Sequence, residues 1–221
     1  MGELLSRYDP TRNNLLIIGF KSFSIGVVFT TSTILEIYYQ KHFALFLYLQ
    51  FLCIFHSLEF LSTYLFNNSQ VDDDSFILED KEFHIITFAS IIEYFISPFK
   101  IKFYIIGFPL LLLGQFIRFL SMFTAQESFN HYVQKQGKES HKLVTNGIYK
   151  YIRHPSYLGF FLWFIGIQII LGNIIMLIVG IIILWRFFKD RIKYEEEYLI
   201  KFFGDKYTNY RNSTSTWMFI K

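Results

Sequence analysis

One short segment holds most of the side chains that could do chemistry in this chain. Residues 145–159 combine cationic, aromatic and hydroxyl groups with His154, and a run of 31 residues without a formal charge, 155–185, begins inside the segment. Arginine and histidine are costly inside lipid, so these groups belong at a membrane surface. A helix that begins at Pro155 would present free N–H groups there, which suit an anionic ligand. The pattern predicts a cofactor site that faces water and a substrate site that faces lipid.

A second polar cluster, from Arg186 to Leu199, follows the uncharged run. Arg191 and Glu195 lie four residues apart within it, so they would share one face of a helix. In one interpretation they form an ion pair on an amphipathic helix at the membrane interface. In the other, the uncharged run folds back on itself, and the two side chains bring a cation and an anion to His154. The segment alone leaves both interpretations open.

Six apolar segments supply the elements that would position these clusters. A helix needs about 20 residues to cross the ~30 Å hydrocarbon layer, and Gly172-Asn173 is a turn signal within the uncharged run. The sequence predicts an all-α, polytopic integral membrane protein with about six transmembrane helices, a C-terminal helical hairpin and a cytosolic cofactor site. The third segment is short and carries His84 and Glu93, which is consistent with tilted, shielded or partial insertion. The segments are 14–35, 43–66, 83–97, 103–125, 157–171 and 174–188.

Composition excludes several classes of protein. Hydrophobic residues make up 52% of the 221-residue chain, with 28 Phe and 15 Tyr, more than a soluble domain of this length could bury. Cys53 is the single cysteine, which rules out an internal disulfide, a thiolate zinc site and a CxxC redox pair; we expect it to be a small core residue. The net charge of +3 is too small and dispersed for nucleic-acid binding, and no metal site is expected.

The distribution of lysine and arginine predicts the orientation in the membrane. If both termini and the loops at 67–82 and 126–156 face the cytosol, that side carries sixteen of the 21 cationic residues. The opposite side then carries three, namely Lys41, Lys100 and Lys102. Such an excess marks the cytosolic side. We therefore expect a multi-pass protein with both termini and the His154 loop in the cytosol.

The ordered motifs resemble one family closely. The run from Leu143 to Gly159, the later Arg191-x-x-x-Glu195-Glu196 and the Phe203-Gly204-x-x-Tyr207-x-x-Tyr210 string are similar to isoprenylcysteine carboxyl methyltransferases of the endoplasmic reticulum. The likeness continues upstream through Gly114-Gln115-x-x-Arg118, and it covers roughly residues 50–220. An isolated Arg-His-Pro-x-Tyr string occurs in related membrane enzymes, whereas the whole ordered set is specific.

The resemblance implies methyl transfer from S-adenosylmethionine to the C-terminal carboxylate of a farnesylated or geranylgeranylated cysteine. Proteins such as small GTPases would be the substrates, at the endoplasmic reticulum membrane and in contact with its lipid. Arg191, Glu195 and His154 would be the catalytic set, and Arg191 would be the cation that binds the substrate. The methyl-donor contacts implied by position are Gln134, His141, Lys142, Leu143, Val144, Tyr149, His154, Pro155, Ser156, Tyr157 and Glu195.

The same resemblance divides the chain functionally. We expect a single membrane domain over 1–221, with the N-terminal transmembrane helices at 14–125. The catalytic region would then be 126–221, with a cytosolic loop, the helical hairpin and the tail.

Several residues keep a second interpretation. Tyr149 and Tyr157 either line a sulfonium pocket through cation–π contacts or belong to the aromatic belt at the interface. Gly159 permits either close approach of the cofactor or close helix packing. Arg118 and Glu59 lie within spans, where pairing between helices is expected more than catalysis.

Three other functions stay in consideration. An NADPH-dependent sterol or steroid reductase has similar C-terminal motifs but usually carries Pro-Asn-Tyr, where this chain has Pro155-Ser156-Tyr157. A phospholipid methyltransferase is the second alternative. The third is an inactive adaptor that binds prenylated proteins; the intact Arg153, His154, Arg191 and Glu195 argue against it.

Overall fold

The computed structural model describes residues 14–67, 71–97, 103–130 and 142–220. Within them the chain is helical, without strands, which confirms the all-α prediction; the one β-type contact there is an isolated bridge between Ile152 and Ser215. Short 3-10 turns lie at Gln40–His42, Asp73–Phe76, Gln126–Ser128 and Gly147–Lys150. The helices are α1 Leu15–Tyr38, α2 Phe43–Phe66, α3 Lys81–Ile96, α4 Tyr104–Ala125, α5 Pro155–Leu171, α6 Ile174–Phe203 and α7 Asp205–Ser213.

Three of the described helical segments are long and apolar enough to cross a membrane, namely Leu15–Tyr38, Gln40–Phe66 and Tyr104–Ser128. On α1 the side chains of Leu16 and Phe20 are 83% and 70% exposed, as suits a helix whose solvent is lipid. α5 is apolar but has only 17 residues. These helices make the chain a multi-pass membrane protein.

The chain forms two compact units. The first comprises the described parts of Met1–Lys102 together with Ile170–Asn173. Within it Lys21, a cation on an otherwise apolar helix, places its Nζ 2.8 Å from Glu79 Oε1 and 2.6 Å from the carbonyl oxygen of Asp73. These oxygens compensate the charge, which explains how α1 accommodates a lysine.

The second unit, Phe103–Ile169 with Ile174–Lys221, contains the two polar clusters. Its helices α4 and α5 pack backbone against backbone through glycines. A Cβ on Gly159 would lie 2.6 Å from the backbone nitrogen of Arg118, and a Cβ on Gly166 would lie 2.5 Å from that of Leu111. Gly159 therefore serves helix packing, the pattern expected of small residues between membrane helices.

α5 gives way to α6 over two residues, Gly172 and Asn173, at the predicted turn. Gly172 has a φ of +74°, a conformation that glycine adopts without strain. Further along, the ring of Phe164 occupies the place that a Gly180 side chain would need. α6 then runs without a break for 30 residues, about 45 Å, so its apolar first half and its charged second half form one rigid element.

The chain after α7 forms a strap, which is extended at Thr214 and bends through Trp217 and Phe219, where φ is positive. From Thr214 to Ile220 buried and exposed residues alternate strictly. Arg153 donates its backbone N–H to the Ser215 carbonyl at 3.0 Å, and Trp185 donates its indole N–H to the Met218 carbonyl at 2.9 Å. The strap thereby ties the start of α5 to the middle of α6.

Candidate active site

The hydroxyl of Tyr157 connects the two polar clusters predicted from the sequence. It donates to Glu195 Oε2 at 2.6 Å and accepts from Arg191 Nε at 2.9 Å. The Tyr157 ring stacks on His154, with ring centroids 5.5 Å apart and 6° between the planes, and on Phe188 at 5.1 Å. We call Arg191 and Glu195 the outer pair. Both face α5 and meet at one residue of the His154 segment, as the second of the two interpretations requires.

Aromatic rings hold the Arg191 guanidinium in place. Its central carbon lies 5.7 Å from the Tyr157 ring centroid and 6.0 Å from that of Phe187, within the range of a cation–π contact. The hydrogen bond from Nε to Tyr157 fixes the plane of the group. A guanidinium oriented in this way is suited to bind a carboxylate through two parallel hydrogen bonds.

A second, deeper pair lies next to the outer pair, and we call Arg153 and Glu196 the inner pair. Arg153 Nε donates to Glu196 Oε1 at 2.9 Å, and both side chains are 6% exposed. Arg153 Nη1 donates to the Arg211 carbonyl at 2.9 Å and to the Thr214 carbonyl. The inner pair therefore joins the start of α5 to α6, α7 and the strap.

His154 lies between the two glutamates. Its Nε2 is 3.1 Å from Glu196 Oε1, and its Nδ1 is 4.0 Å from Glu195 Oε2. The Glu195 side chain is 28% exposed, whereas the Glu196 side chain is 6% exposed. Only Glu195 is thus accessible to a ligand from solution, although the two residues are adjacent in sequence.

Electrostatics around the inner pair keep Glu196 ionised. Burial by itself would raise its pKa, but the hydrogen bond from His154 and the charges of His154 and Arg153 outweigh burial, so the pKa is lowered. Burial and the neighbouring Glu196 charge raise the pKa of Tyr207. Burial is also the main reason that the pKa of Tyr210 rises to about 12. The tyrosines of α7 therefore stay neutral beside a permanent carboxylate.

Tyr149 and the residues before it border this arrangement. Burial, followed by the charge of Glu195, raises the pKa of Tyr149, so its phenol remains protonated near the outer pair. The Tyr149 carbonyl accepts a 2.6 Å hydrogen bond from the hydroxyl of Tyr210. Lys142 is exposed, while Leu143 and Val144 are half-buried and lie in irregular chain. Gln134 and His141, also predicted as donor contacts, lie outside the described residues.

Pro155 and Ser156 occupy the first turn of α5, as predicted. Arg118 Nη1 of α4 donates to Ser156 Oγ at 3.1 Å, and its guanidinium carbon lies 5.6 Å from the Phe160 ring centroid. Arg118 thus pairs between helices, in line with the expectation from the sequence. Among the described residues, no group of three or more His, Cys, Asp or Glu side chains is arranged to hold a metal ion.

The inner pair was not predicted from the sequence. Arg153 and Glu196 each stand next to a predicted site residue, but they are 43 positions apart, and no spacing rule pairs them. The available indication was the run of three glutamates at 195–197, because successive residues of a helix point in different directions and cannot all face the same site.

Fold and site together define a multi-pass membrane protein with a polar site where α5 begins and the charged half of α6 lies beside it. Comparison with known proteins agrees with this class. Residues 105–201 match the model of the isoprenylcysteine carboxyl methyltransferase (ICMT) family. A solved structure described as the eukaryotic intramembrane Ras methyltransferase ICMT without a monobody has 32% sequence identity and a TM-score of 0.82, over 89% of this chain and 74% of that one.

Curated relatives named protein-S-isoprenylcysteine O-methyltransferase extend over most of the chain. The one from Schizosaccharomyces pombe is 40% identical over 182 residues, 73% of this chain and 77% of its own. The one from Saccharomyces cerevisiae is 37% identical over 92% of this chain and 91% of its own, and the human one is 35% identical over 99% and 79%. The chain belongs to the isoprenylcysteine carboxyl methyltransferase family.

Proposed function

We propose that this protein transfers the methyl group of S-adenosylmethionine to the C-terminal α-carboxylate of a prenylated cysteine. The observation that carries the proposal is the Tyr157 hydroxyl, which holds a cation, Arg191, and an accessible anion, Glu195, at the start of α5. A methyl donor with an ammonium group and a substrate with a carboxylate require one partner of each sign. Family membership supplies the reaction class, and the geometry supports the roles that we propose for Arg191 and Glu195.

The substrate needs orientation more than activation. A C-terminal carboxylate has a pKa of about 3.5, so it is ionised at neutral pH and no general base is required. Alignment of the reactants can offset about 7–11 kcal/mol of a barrier in favourable cases. Arg191 provides this alignment through charge-assisted hydrogen bonds from a guanidinium held between Tyr157 and Phe187. The Phe187 and Phe188 rings also keep this side of the site apolar.

The residues at the other side fit a methyl donor. S-adenosylmethionine, when bound, supplies an electrophilic methyl group on a sulfonium sulfur. Glu195 would hold its ammonium group, because one of its oxygens is anchored by Tyr157 and the side chain reaches solvent. The donor's carboxylate would bind the first N–H groups of α5, which have no partner within the helix.

The remaining predicted contacts complete the donor site. Backbone groups of Leu143 and Val144 would bind the adenine edge, and Gln134, His141 and Lys142 would border it. His154 supports Glu195 and Glu196 through its two ring nitrogens. Tyr157 would also present its ring to the sulfonium, since it stacks on His154 with the hydroxyl at the outer pair.

The second substrate would be a membrane-anchored protein with a farnesyl or geranylgeranyl group, such as a small GTPase. Its prenyl chain would enter sideways from lipid, while the donor arrives from the cytosol. We place the protein in the endoplasmic reticulum membrane with both termini cytosolic and with six spans that end in a hairpin, as the charge distribution favours.

Two natural glycosylation sequons test that orientation. Asn67-Asn68-Ser69 and Asn212-Ser213-Thr214 both fall on the proposed cytosolic side, where the glycosylation machinery does not act. Expression with microsomes should leave both sequons unmodified, and an acceptor site engineered into a lengthened Gly172-Asn173 loop should be glycosylated. A glycosidase-sensitive mass shift at either natural sequon would reverse the orientation.

The assay for the function uses purified protein in lipid nanodiscs with methyl-labelled S-adenosylmethionine. N-acetyl-S-farnesylcysteine should gain a methyl ester that releases labelled methanol in base. The matched substrate with a carboxamide in place of the carboxylate should stay unlabelled. Label in phosphatidylethanolamine would support the phospholipid alternative, and donor binding without product would support an inactive adaptor.

A further inference from the structure

Gln115 is a buried amide without a partner. The residue is 8% exposed on α4, and neither its Oε1 nor its Nε2 has a hydrogen-bond partner among the described residues. Inside a membrane protein such a group loses its bonds to water and gains nothing in exchange. Native structures rarely keep an unpaired buried amide without a reason, and a missing ligand is one such reason.

Several other buried polar side chains of the same unit are engaged, although two further buried atoms, Arg153 Nη2 and Tyr207 Oη, also lack a hydrogen-bond partner among the described residues. Ser121 bonds to the Arg118 carbonyl, Thr216 bonds to the Ile220 carbonyl, and Glu196 bonds to Arg153 and His154. Gln168 on α5 provides the direct comparison with Gln115. It is a glutamine that is 1% exposed, and its side chain does interact with a partner. Gln115 therefore differs from Gln168, because the amide of Gln115 has no hydrogen-bond partner within the described part of the fold.

The position of Gln115 links it to the active site. Arg118, one turn along the same face of α4, donates to Ser156 Oγ, and Ser156 precedes Tyr157. The neighbour Gly114 packs against the α5 backbone at Gly159, two residues beyond Tyr157. Gln115 thus lies three residues, about 4.5 Å along the helix axis, further into the membrane than Arg118. This is the side from which a lipid-linked substrate would approach.

The chemistry of the amide restricts what it can bind. One atom is a donor and the other is an acceptor, and both are unsatisfied, so the ligand must offer an acceptor and a donor side by side. A prenyl chain offers neither, and a carboxylate alone offers only acceptors. An extended amino-acid residue offers both, because its own N–H and carbonyl oxygen point in the same direction, as in a β-ladder.

We propose that Gln115 is a substrate-positioning residue that binds the prenylated cysteine along its backbone. Oε1 accepts the N–H of the amide that joins the cysteine to the preceding residue. Nε2 donates to the oxygen of the cysteine carboxylate that does not attack the methyl group. Gln115 then fixes the orientation of the carboxylate from α4 while Arg191 binds it from α6. This role rests on the proposed function of the site.

The test replaces one group in the substrate and one in the protein. The substrates are N-acetyl-S-farnesylcysteine and its ester analogue, in which oxygen replaces the amide N–H. The wild-type protein should methylate the ester with a kcat/KM about tenfold lower, the effect of one lost hydrogen bond. Gln115→Leu should reduce kcat/KM on the amide substrate about tenfold or more and should distinguish amide from ester by less than about twofold.

The thermal stability of Gln115→Leu is a second readout. A purely structural role for Gln115 would lower the Tm of this variant, whereas a substrate-binding role would not. Gln115→Leu removes an unpaired amide, so its Tm should equal or exceed that of the wild type. The control Gln168→Leu should lower the Tm and leave the tenfold preference for the amide intact, because it breaks an interaction away from the substrate.

Each outcome decides the proposal. Equal kcat/KM of the wild type on both substrates would overturn it whether or not any variant folds. A tenfold preference that persists in Gln115→Leu would overturn it too, and would assign the amide to a buried water. If the wild type methylates neither the amide substrate nor the ester, the proposed function itself is refuted.

Discussion

Two arginine–glutamate pairs lie side by side where the start of α5 meets α6, and they are built in different ways. The inner pair, Arg153 and Glu196, is buried, and its arginine also binds two backbone carbonyls. The outer pair, Arg191 and Glu195, is linked through the neutral hydroxyl of Tyr157, and the Glu195 side chain remains 28% exposed. Glu195 and Glu196 are thus neighbours on one helix, but the first is accessible to solvent and the second is buried.

The difference separates a structural pair from a functional one. A buried ion pair that is held by further hydrogen bonds to the backbone fixes one geometry and offers no surface to a ligand. A pair that meets on a hydroxyl keeps its charges apart, so each can bind a group of opposite sign. The inner pair accordingly holds the α5 start in place, and the outer pair is the one that we propose binds the two reactants.

The largest effect is expected from breaking the inner pair. Arg153→Ala leaves the Glu196 carboxylate buried without its directly hydrogen-bonded cation, which should cost about 3–5 kcal/mol in the free energy of unfolding. Thermal unfolding in detergent measures the loss. Arg211→Ala is the matched control, because Arg211 Nη1 lies 3.9 Å from Glu196 Oε2 on a side chain that is 38% exposed.

The control should cost no more than about 1 kcal/mol, as is usual for exposed pairs. If Arg153→Ala and Arg211→Ala lower stability equally, the distinction between a structural and a functional pair fails.

The outer pair should affect turnover without affecting stability. Arg191→Ala should reduce kcat/KM about 100-fold or more through misplacement of the carboxylate, with a Tm close to that of the wild type. Arg191→Lys should recover only a small part, since an ammonium lacks the planar fork. Lys193→Ala, an exposed cation two residues on, is the control and should keep its turnover. A large fall in Tm for Arg191→Ala would make this residue structural.

The features of the two pairs that could be predicted from the sequence are those that depend on interactions between residues close together in the chain. Apolar runs predicted α2 and α4 with nearly correct ends, and the turn at Gly172-Asn173 falls where it was expected, because these features depend on local composition. The motif run brought His154, Glu195 and Arg191 into consideration together, and the structure places all three around Tyr157.

The inner pair and the strap lay beyond such reasoning. The Arg153 side chain contacts residues between 43 and 61 positions away, and pairings at that distance arise from packing rather than from any periodicity. The sequence also left the role of Gly159 open, because its close packing against the backbone of α4 depends on the tertiary structure. The continuous run of α6 to Phe203 also exceeds the apolar segment that predicted it, since helix propensity continues where hydropathy ends.

The smallest effect concerns pH and sharpens the comparison further. The pKa of Glu196 is below its unfolded value of 4.5 in the folded protein. Its contribution to stability is therefore fully present above about pH 4.5 and is lost as the pH falls through the folded pKa. Thermal unfolding of the wild type between pH 6 and pH 3 should show this loss, and Glu196→Gln should show a shallower one. Parallel pH profiles for the two proteins would mean that Glu196 gains nothing from Arg153 and His154.

Calorimetric titration with S-adenosylhomocysteine tests the central claim, the division of labour within the outer pair, most directly. The ligand retains the ammonium and carboxylate of the methyl donor, so its affinity reports the donor site alone. Glu195→Gln should weaken binding at least about tenfold, which corresponds to the loss of one charge-assisted hydrogen bond. Arg191→Gln should stay within about twofold of the wild type. Tight binding by Glu195→Gln, or loss of binding in Arg191→Gln with the fold intact, would contradict the assignment of Glu195 to the donor and Arg191 to the substrate.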